Sequence, residues 1–103
     1  MSDTRYDQVL EALNSALAFL REHGGTFWVP ILLGLIRDLR KSAAGERPAL
    51  YGKIRKALFQ TPGGLAELVF EALVDGRLVL NRQRTSEFKR LMKAIDKALA
   101  PDY

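Results

Sequence analysis

Hydrophobic residues recur with helical spacing along most of the chain. In the first such stretch the apolar positions follow the i, i+3, i+4 rhythm that places side chains on one face of a helix. These positions are Tyr6, Val9, Leu10, Leu13, Leu17 and Leu20. The pattern predicts a helix over residues 4–22, with Ser2 or Asp3 as its cap. Gly24 and Gly25 should end it, since glycine readily adopts the left-handed turn that closes a helix.

A second predicted helix runs to Lys41, with Thr26 as its cap and Pro30 in its first turn, where a missing N–H costs nothing. Apolar side chains cover most of its circumference: Trp28, Ile31, Leu32, Leu33, Leu35, Ile36 and Leu39. Such a helix is typical of a central position, covered on most sides, so we interpret it as scaffold.

Three further segments complete the predicted helices. Residues 42–47 form a loop, and Pro48 opens a third helix with Leu50, Tyr51, Ile54 and Leu58 facing the core. The breaker Gln60–Gly64 precedes a fourth helix over Leu65–Asp75, which Asp75-Gly76 should end. Arg77–Arg84 has no clear period, and Leu78–Leu80 fits a short extended piece. Ser86 should cap the last helix, whose stripe is Phe88, Leu91, Met92, Ile95, Ala98 and Leu99.

The predicted fold class is therefore all-α, a compact single-domain bundle of four to five helices spanning residues 1–103. The length of 103 residues suits one domain. Hydrophobic residues make up 48% and charged residues 27%, as in ordinary globular proteins rather than disordered ones.

Several classes of chemistry lack their residues. There is no cysteine, and His23 is the single histidine, so thiolate metal sites and cysteine nucleophiles are excluded. We interpret His23 as structural, because a general base also needs an orienting partner. We expect no cofactor, no metal and no enzymatic activity.

No secretory signal pattern opens the chain, which favours a cytoplasmic location. The apolar run Phe27–Ile36 is too short for a membrane span of about 20 residues.

Two other motifs resemble ligand-binding sites but favour a structural interpretation. Glu67, Glu71 and Asp75 recur every four residues, but without histidines in helical pairs we interpret them as a solvated acidic ridge. The Pro62-Gly63-Gly64 loop lacks the spacing of phosphate-binding loops and follows a helix where those motifs follow a strand.

Positive charge is concentrated in the C-terminal half. The formal net charge is +4, and between Arg77 and Lys97 seven bases face only the two acids Glu87 and Asp96. Such a stripe fits phosphates or an acidic protein surface, although any exposed amphipathic helix face looks similar. The candidate contact residues are Arg82, Arg84, Lys89, Arg90, Lys93 and Lys97.

The segment Phe59–Phe70, with Trp28 before it and Asn81–Phe88 after it, resembles a family of small uncharacterised bacterial helical proteins, some in toxin-immunity-like contexts. The matching positions are Phe59, Gly63, Gly64, Glu67, Leu68 and Val69, whereas Gln60 and Thr61 stand where glycines are expected. The resemblance implies a stoichiometric binder and brings no catalytic residues.

A second resemblance concerns Leu65–Leu80, which looks like the helix, turn and strand that lead into the wing of winged-helix DNA-binding domains. A wing needs two strands, and only one is expected to fit before the last helix. The fourth predicted helix also carries three acids and no base, which opposes phosphate contact.

The leading hypothesis is a non-catalytic helical protein-interaction module of an immunity-like or regulatory kind, acting as a monomer or a homodimer. Its protein partner should be sought at the helices after residue 47 and at the Gln60–Gly64 turn. The alternative is a nucleic-acid-binding domain that uses the basic C-terminal helix.

Overall fold

The computed structural model describes residues 4–60, 64–65 and 68–99, and within these ranges it contains four α-helices and one antiparallel hairpin. The elements are α1 Thr4–His23, α2 Val29–Lys41, α3 Arg47–Arg55, β1 Glu71–Val74, β2 Arg77–Leu80 and α4 Arg82–Leu99. Short 3₁₀ turns precede α2 and α3, and a π-helical turn, Lys56–Gln60, extends α3. The all-α prediction is therefore too strict, since the chain is mostly helical but carries a small sheet.

Some residues to which the sequence analysis assigns a role are not described by the structure. The proposed caps Ser2 and Asp3, the Pro62-Gly63 pair and Pro101 lie outside the described residues. Among the residues that are described, no helix combines the length and the apolar character that crossing a membrane requires.

The core is built mainly between α1 and α4. The two helices run in opposite directions: Arg5, near the start of α1, hydrogen-bonds carbonyls at the end of α4, while Phe19, near the end of α1, contacts Phe88. The stripes predicted for both helices face this core. Its fully buried members include Val9, Leu13, Leu20, Phe88 and Ile95. The periodicity of these two helices therefore predicted their buried faces correctly.

Helix α2 is not the central helix that its composition suggested. Its buried face is Leu32, Leu35, Ile36 and Leu39, which packs on one side only. Leu33 on the outer side is 41% exposed, and Phe27 just before the helix is 74% exposed. Pro30 lies in the first turn as predicted, but Thr26 is not the cap, because Trp28 precedes the helix and makes no side-chain capping bond.

The described residues of Leu65–Asp75 do not form the predicted fourth helix. Glu71–Val74 instead pairs with Arg77–Leu80, in a register that places Val74 opposite Arg77 and Glu71 opposite Leu80. Asp75 and Gly76 have φ values of 50° and 77°, and two consecutive positive φ values define the type I′ turn that Asp-Gly favours. The second strand that seemed unable to fit is therefore present.

Helix α4 begins earlier than its predicted cap. Asn81 precedes the helix and its Oδ1 accepts a hydrogen bond from the Arg84 N–H at 3.1 Å, which is the geometry of an Asn cap. Ser86 is instead an exposed residue inside the first turns. Leu78–Leu80, expected as a short extended piece, lies in β2, and the end of the aperiodic segment Arg77–Arg84 belongs to α4.

The hairpin joins the helices through Phe70. Its N–H donates to the Thr85 Oγ1 at 3.0 Å, and its carbonyl accepts from the Asn81 N–H at 2.7 Å. The Phe70 ring is buried and makes edge contacts with Phe19 and Phe88, with centroids 5.1 and 5.3 Å apart. Both backbone polar groups of Phe70 are therefore paired where the chain leaves the core.

Thr85 offers a direct test of this junction. Thr85→Val keeps the shape of the side chain but leaves the buried Phe70 N–H without its acceptor, which should lower the free energy of unfolding by about 1–3 kcal/mol. Thr85→Ser retains the hydroxyl and should lose less. Urea unfolding of the three proteins measures the difference, and equal stability of the valine and serine variants would contradict the role of the hydroxyl.

Candidate functional site

The hairpin exposes most of its apolar side chains. Leu73 and Leu78, directly opposite each other, are 71% and 70% exposed. Val74, Val79 and Leu80 are about half exposed, at 50%, 47% and 47%. We call residues 71–80 the apolar hairpin. Exposed apolar side chains are ordinary when single, but a contiguous set is typical of an interaction surface.

The two faces of the apolar hairpin differ in chemistry. Side chains directly opposite each other share a face, and successive residues alternate. One face carries Glu71, Leu73, Leu78 and Leu80, and the other carries Ala72, Val74, Arg77 and Val79. Three leucines thus form a continuous apolar strip on the first face, with one acid at its end.

Both outer edges of this sheet lack a neighbouring strand within the described residues. Proteins usually protect such edges with lysine, proline, bulges or a covering element, because unpaired N–H and C=O groups invite another strand. Here the regular four-residue ladder has neither lysine nor proline. An isolated two-stranded hairpin is also marginally stable at best, so this element would gain from an added strand.

Helix α4 carries the second candidate surface. At about 100° per residue, five basic residues fall within an arc of about 100° on its solvent side. These residues, which we call the basic arc, are Arg82, Lys89, Arg90, Lys93 and Lys97, and all are exposed. In the described part of the chain none of them forms an ion pair or a side-chain hydrogen bond.

Arg84, the sixth residue predicted from the sequence, does not belong to this arc. It lies about 170° around the helix from the centre of the arc, although it is exposed near the start of α4. The structure therefore brings together five of the six predicted residues.

The two acids of α4 do not interrupt the basic arc. Asp96 pairs with Arg55 of α3, with 3.2 Å between Nε and Oδ1. Glu87 lies about 110° from the arc centre. The partly buried Phe59 lies beside Lys89 and Lys93 at a shallow depression between the π-helical turn and α4. The arc therefore combines five basic side chains with a neighbouring aromatic ring, and the one acid at that depression, Asp96, is paired with Arg55.

The remaining candidate groups do not assemble into a site. The His23 ring packs at a tilt of 53° against Phe19, with centroids 4.5 Å apart, and its Nε2 lies 3.8 Å from Glu22. The predicted acidic ridge is not helical: Glu71 begins β1, Asp75 lies in the turn, and Glu67 is outside the described residues. Over the ranges described, no three His, Asp or Glu side chains cluster as metal ligands would.

Comparison with family models, with curated proteins and with solved structures gives no match. The apolar hairpin and the basic arc are therefore identified only from the exposure and charge of their own side chains. Helical spacing predicts a helix end at Asp75-Gly76 and so misses the exposed leucines of the hairpin. The sequence nevertheless carries a signal for them, because Asp-Gly between two Leu and Val runs is the strongest short hairpin pattern.

The turn of the apolar hairpin can be tested without disturbing the core. A valine at position 76 must adopt φ near +77°, which costs about 1–2 kcal/mol in the left-handed region. Gly76→Val should therefore accelerate amide exchange of Ala72 and Val79, whose N–H groups point across the ladder, and leave exchange of α1 and α4 amides unchanged. Gly45→Val is the control, since Gly45 has open space and no positive φ. Equal loss of protection in α1 and α4 would show that the hairpin does not open independently.

Proposed function

We propose that this protein is a non-catalytic protein-interaction module whose apolar hairpin binds an extended segment of a partner protein by strand addition. The observation that carries the proposal is the exposure of Leu73 and Leu78 at the centre of a sheet with two open edges. Added backbone hydrogen bonds would supply affinity, and the leucine strip would select apolar side chains at alternate positions.

The size of the patch favours an extended segment over a large surface. Burying a leucine gains about 1.5–3 kcal/mol at about 25 cal/mol per Å², which corresponds to roughly 60–120 Å² per side chain. The five exposed apolar side chains of the hairpin then offer on the order of 300 Å². A stable dimer buries about 800 Å² per partner, so one strand of a partner suits the hairpin better than a second copy of the chain.

The resemblance to small bacterial helical proteins in toxin-immunity-like contexts supports the same kind of function. A stoichiometric binder needs a surface and no catalytic groups. An exposed apolar surface of defined geometry is what such a binder would use, and proteins encoded beside this one are the natural partners to try.

The proposal can be tested with peptides. Leu73→Ser with Leu78→Ser should change the free energy of unfolding by no more than about 0.5 kcal/mol, because both side chains already lie in water. A phage-displayed library of ten-residue peptides, panned on the wild-type protein, should yield segments with alternating apolar residues. The double variant should lose at least tenfold in affinity for these segments, as measured by fluorescence anisotropy.

Leu33→Ser provides a matched control, since Leu33 is also an exposed leucine but lies on α2. It should leave peptide affinity unchanged. Failure to enrich any peptide whose binding depends on the hairpin would refute the proposal. Light scattering provides a second check, since a dimer that dissociates in the Leu73→Ser, Leu78→Ser variant would assign the hairpin to self-association instead.

A further inference from the structure

We propose a second binding site, independent of the apolar hairpin: the basic arc of α4 binds the phosphodiester backbone of a nucleic acid. The bases from Arg82 to Lys97 span about 22 Å along the helix at 1.5 Å per residue. One strand of a duplex carries one charge per 3.4 Å of its axis, so about six phosphates fall within this length. Several cations of the arc can therefore engage one strand together.

The arrangement of charges around the arc favours an anionic ligand. None of its five cations forms an ion pair within the described ranges, so no internal carboxylate has to be displaced. Asp96, the nearest acid on the helix, is already compensated by Arg55 at 3.2 Å. A salt bridge this exposed contributes little to stability, but it partly neutralises the negative charge at the border of the arc.

Phe59 adds a feature that an acidic protein surface would not require. Its ring borders the depression lined by Lys89, Met92, Lys93 and Asp96, the acid that pairs with Arg55. Aromatic rings beside basic grooves stack on unpaired bases and contribute about 1–3 kcal/mol per base. A phosphate backbone is common to duplex and single-stranded nucleic acids, and the position of Phe59 favours single strands.

The experiment measures binding of a 20-nucleotide mixed-sequence DNA, as single strand and as duplex, to the full chain by fluorescence anisotropy across a salt series. Binding should weaken linearly in log affinity against log salt, with a slope near −0.7 per contacted phosphate for a single strand and −0.9 for a duplex. Lys89→Gln with Lys93→Gln should reduce the salt slope by about two phosphate contacts. It should also lower affinity by roughly tenfold per contact at 0.1 M salt.

The control removes two charges elsewhere: Arg21→Gln on α1 with Arg84→Gln, both exposed and outside the arc. It should retain most of the affinity and the wild-type slope. All four substitutions are at exposed positions, and circular dichroism of each variant should match the wild type. Equal loss in both double variants would overturn the site, since net charge alone would explain binding.

Two other outcomes would also overturn the proposal. One is the absence of binding to either DNA at 50 mM salt. The other is tighter binding to polyglutamate of equal charge than to DNA, which would assign the arc to an acidic protein. Tighter binding to the single strand, reduced by Phe59→Leu, would support stacking beside the arc. Tighter binding to the duplex would support backbone contact alone. Neither DNA result depends on the hairpin, so Leu73→Ser with Leu78→Ser should bind DNA as the wild type does.

Discussion

The position of every element after α3 depends on how Phe70 is held. Its ring completes an aromatic cluster with Phe19 and Phe88, and its N–H and C=O are bonded to Thr85 and Asn81. A buried backbone group without a partner is costly, so this residue can close the core only if α4 starts where Thr85 can reach it. The same few bonds therefore end the core, start the hairpin and fix the beginning of α4.

The other end of α4 is held by arginine. The Arg5 side chain donates to the carbonyls of Ala98 and Leu99, which a helix end leaves without intrahelical partners, and its guanidinium lies 4.7 Å from the centre of the Tyr51 ring. Arg47 stacks similarly on Tyr6 at 3.9 Å. Because α4 is anchored at both ends and buries a full stripe, its outer face presents charges at fixed spacing, whereas the hairpin is anchored only at its base.

Local pattern predicted the long helices well and the hairpin not at all. The stripes of α1 and α4 repeat over many turns, so the period was unambiguous. Leu65–Asp75 is short, and its apolar residues fit helical spacing by coincidence. In the folded chain Phe70 hydrogen-bonds to Thr85, fifteen residues away. This pairing favours a strand over a helix, and a short stretch of sequence does not contain it. The predicted start of α4 is also too late. With Ser86 as the cap, Arg84 would lie before the helix. The observed start at Arg82 places Arg84 on the side of the helix opposite the basic arc.

The charges of the two surfaces argue against the hairpin as a DNA-binding wing. Residues 71–80 contain Glu71, Asp75 and Arg77, a formal charge of −1, while the arc that follows within a few residues carries five positive charges. A wing that reaches DNA gains affinity from basic side chains, and this hairpin would repel a phosphate slightly where it exposes leucine. The two antiparallel strands that a wing requires are present, but the net charge of the hairpin does not favour contact with phosphates. These charges agree with the proposal that the hairpin binds an apolar polypeptide, and with the separate proposal that α4 attracts a polyanion.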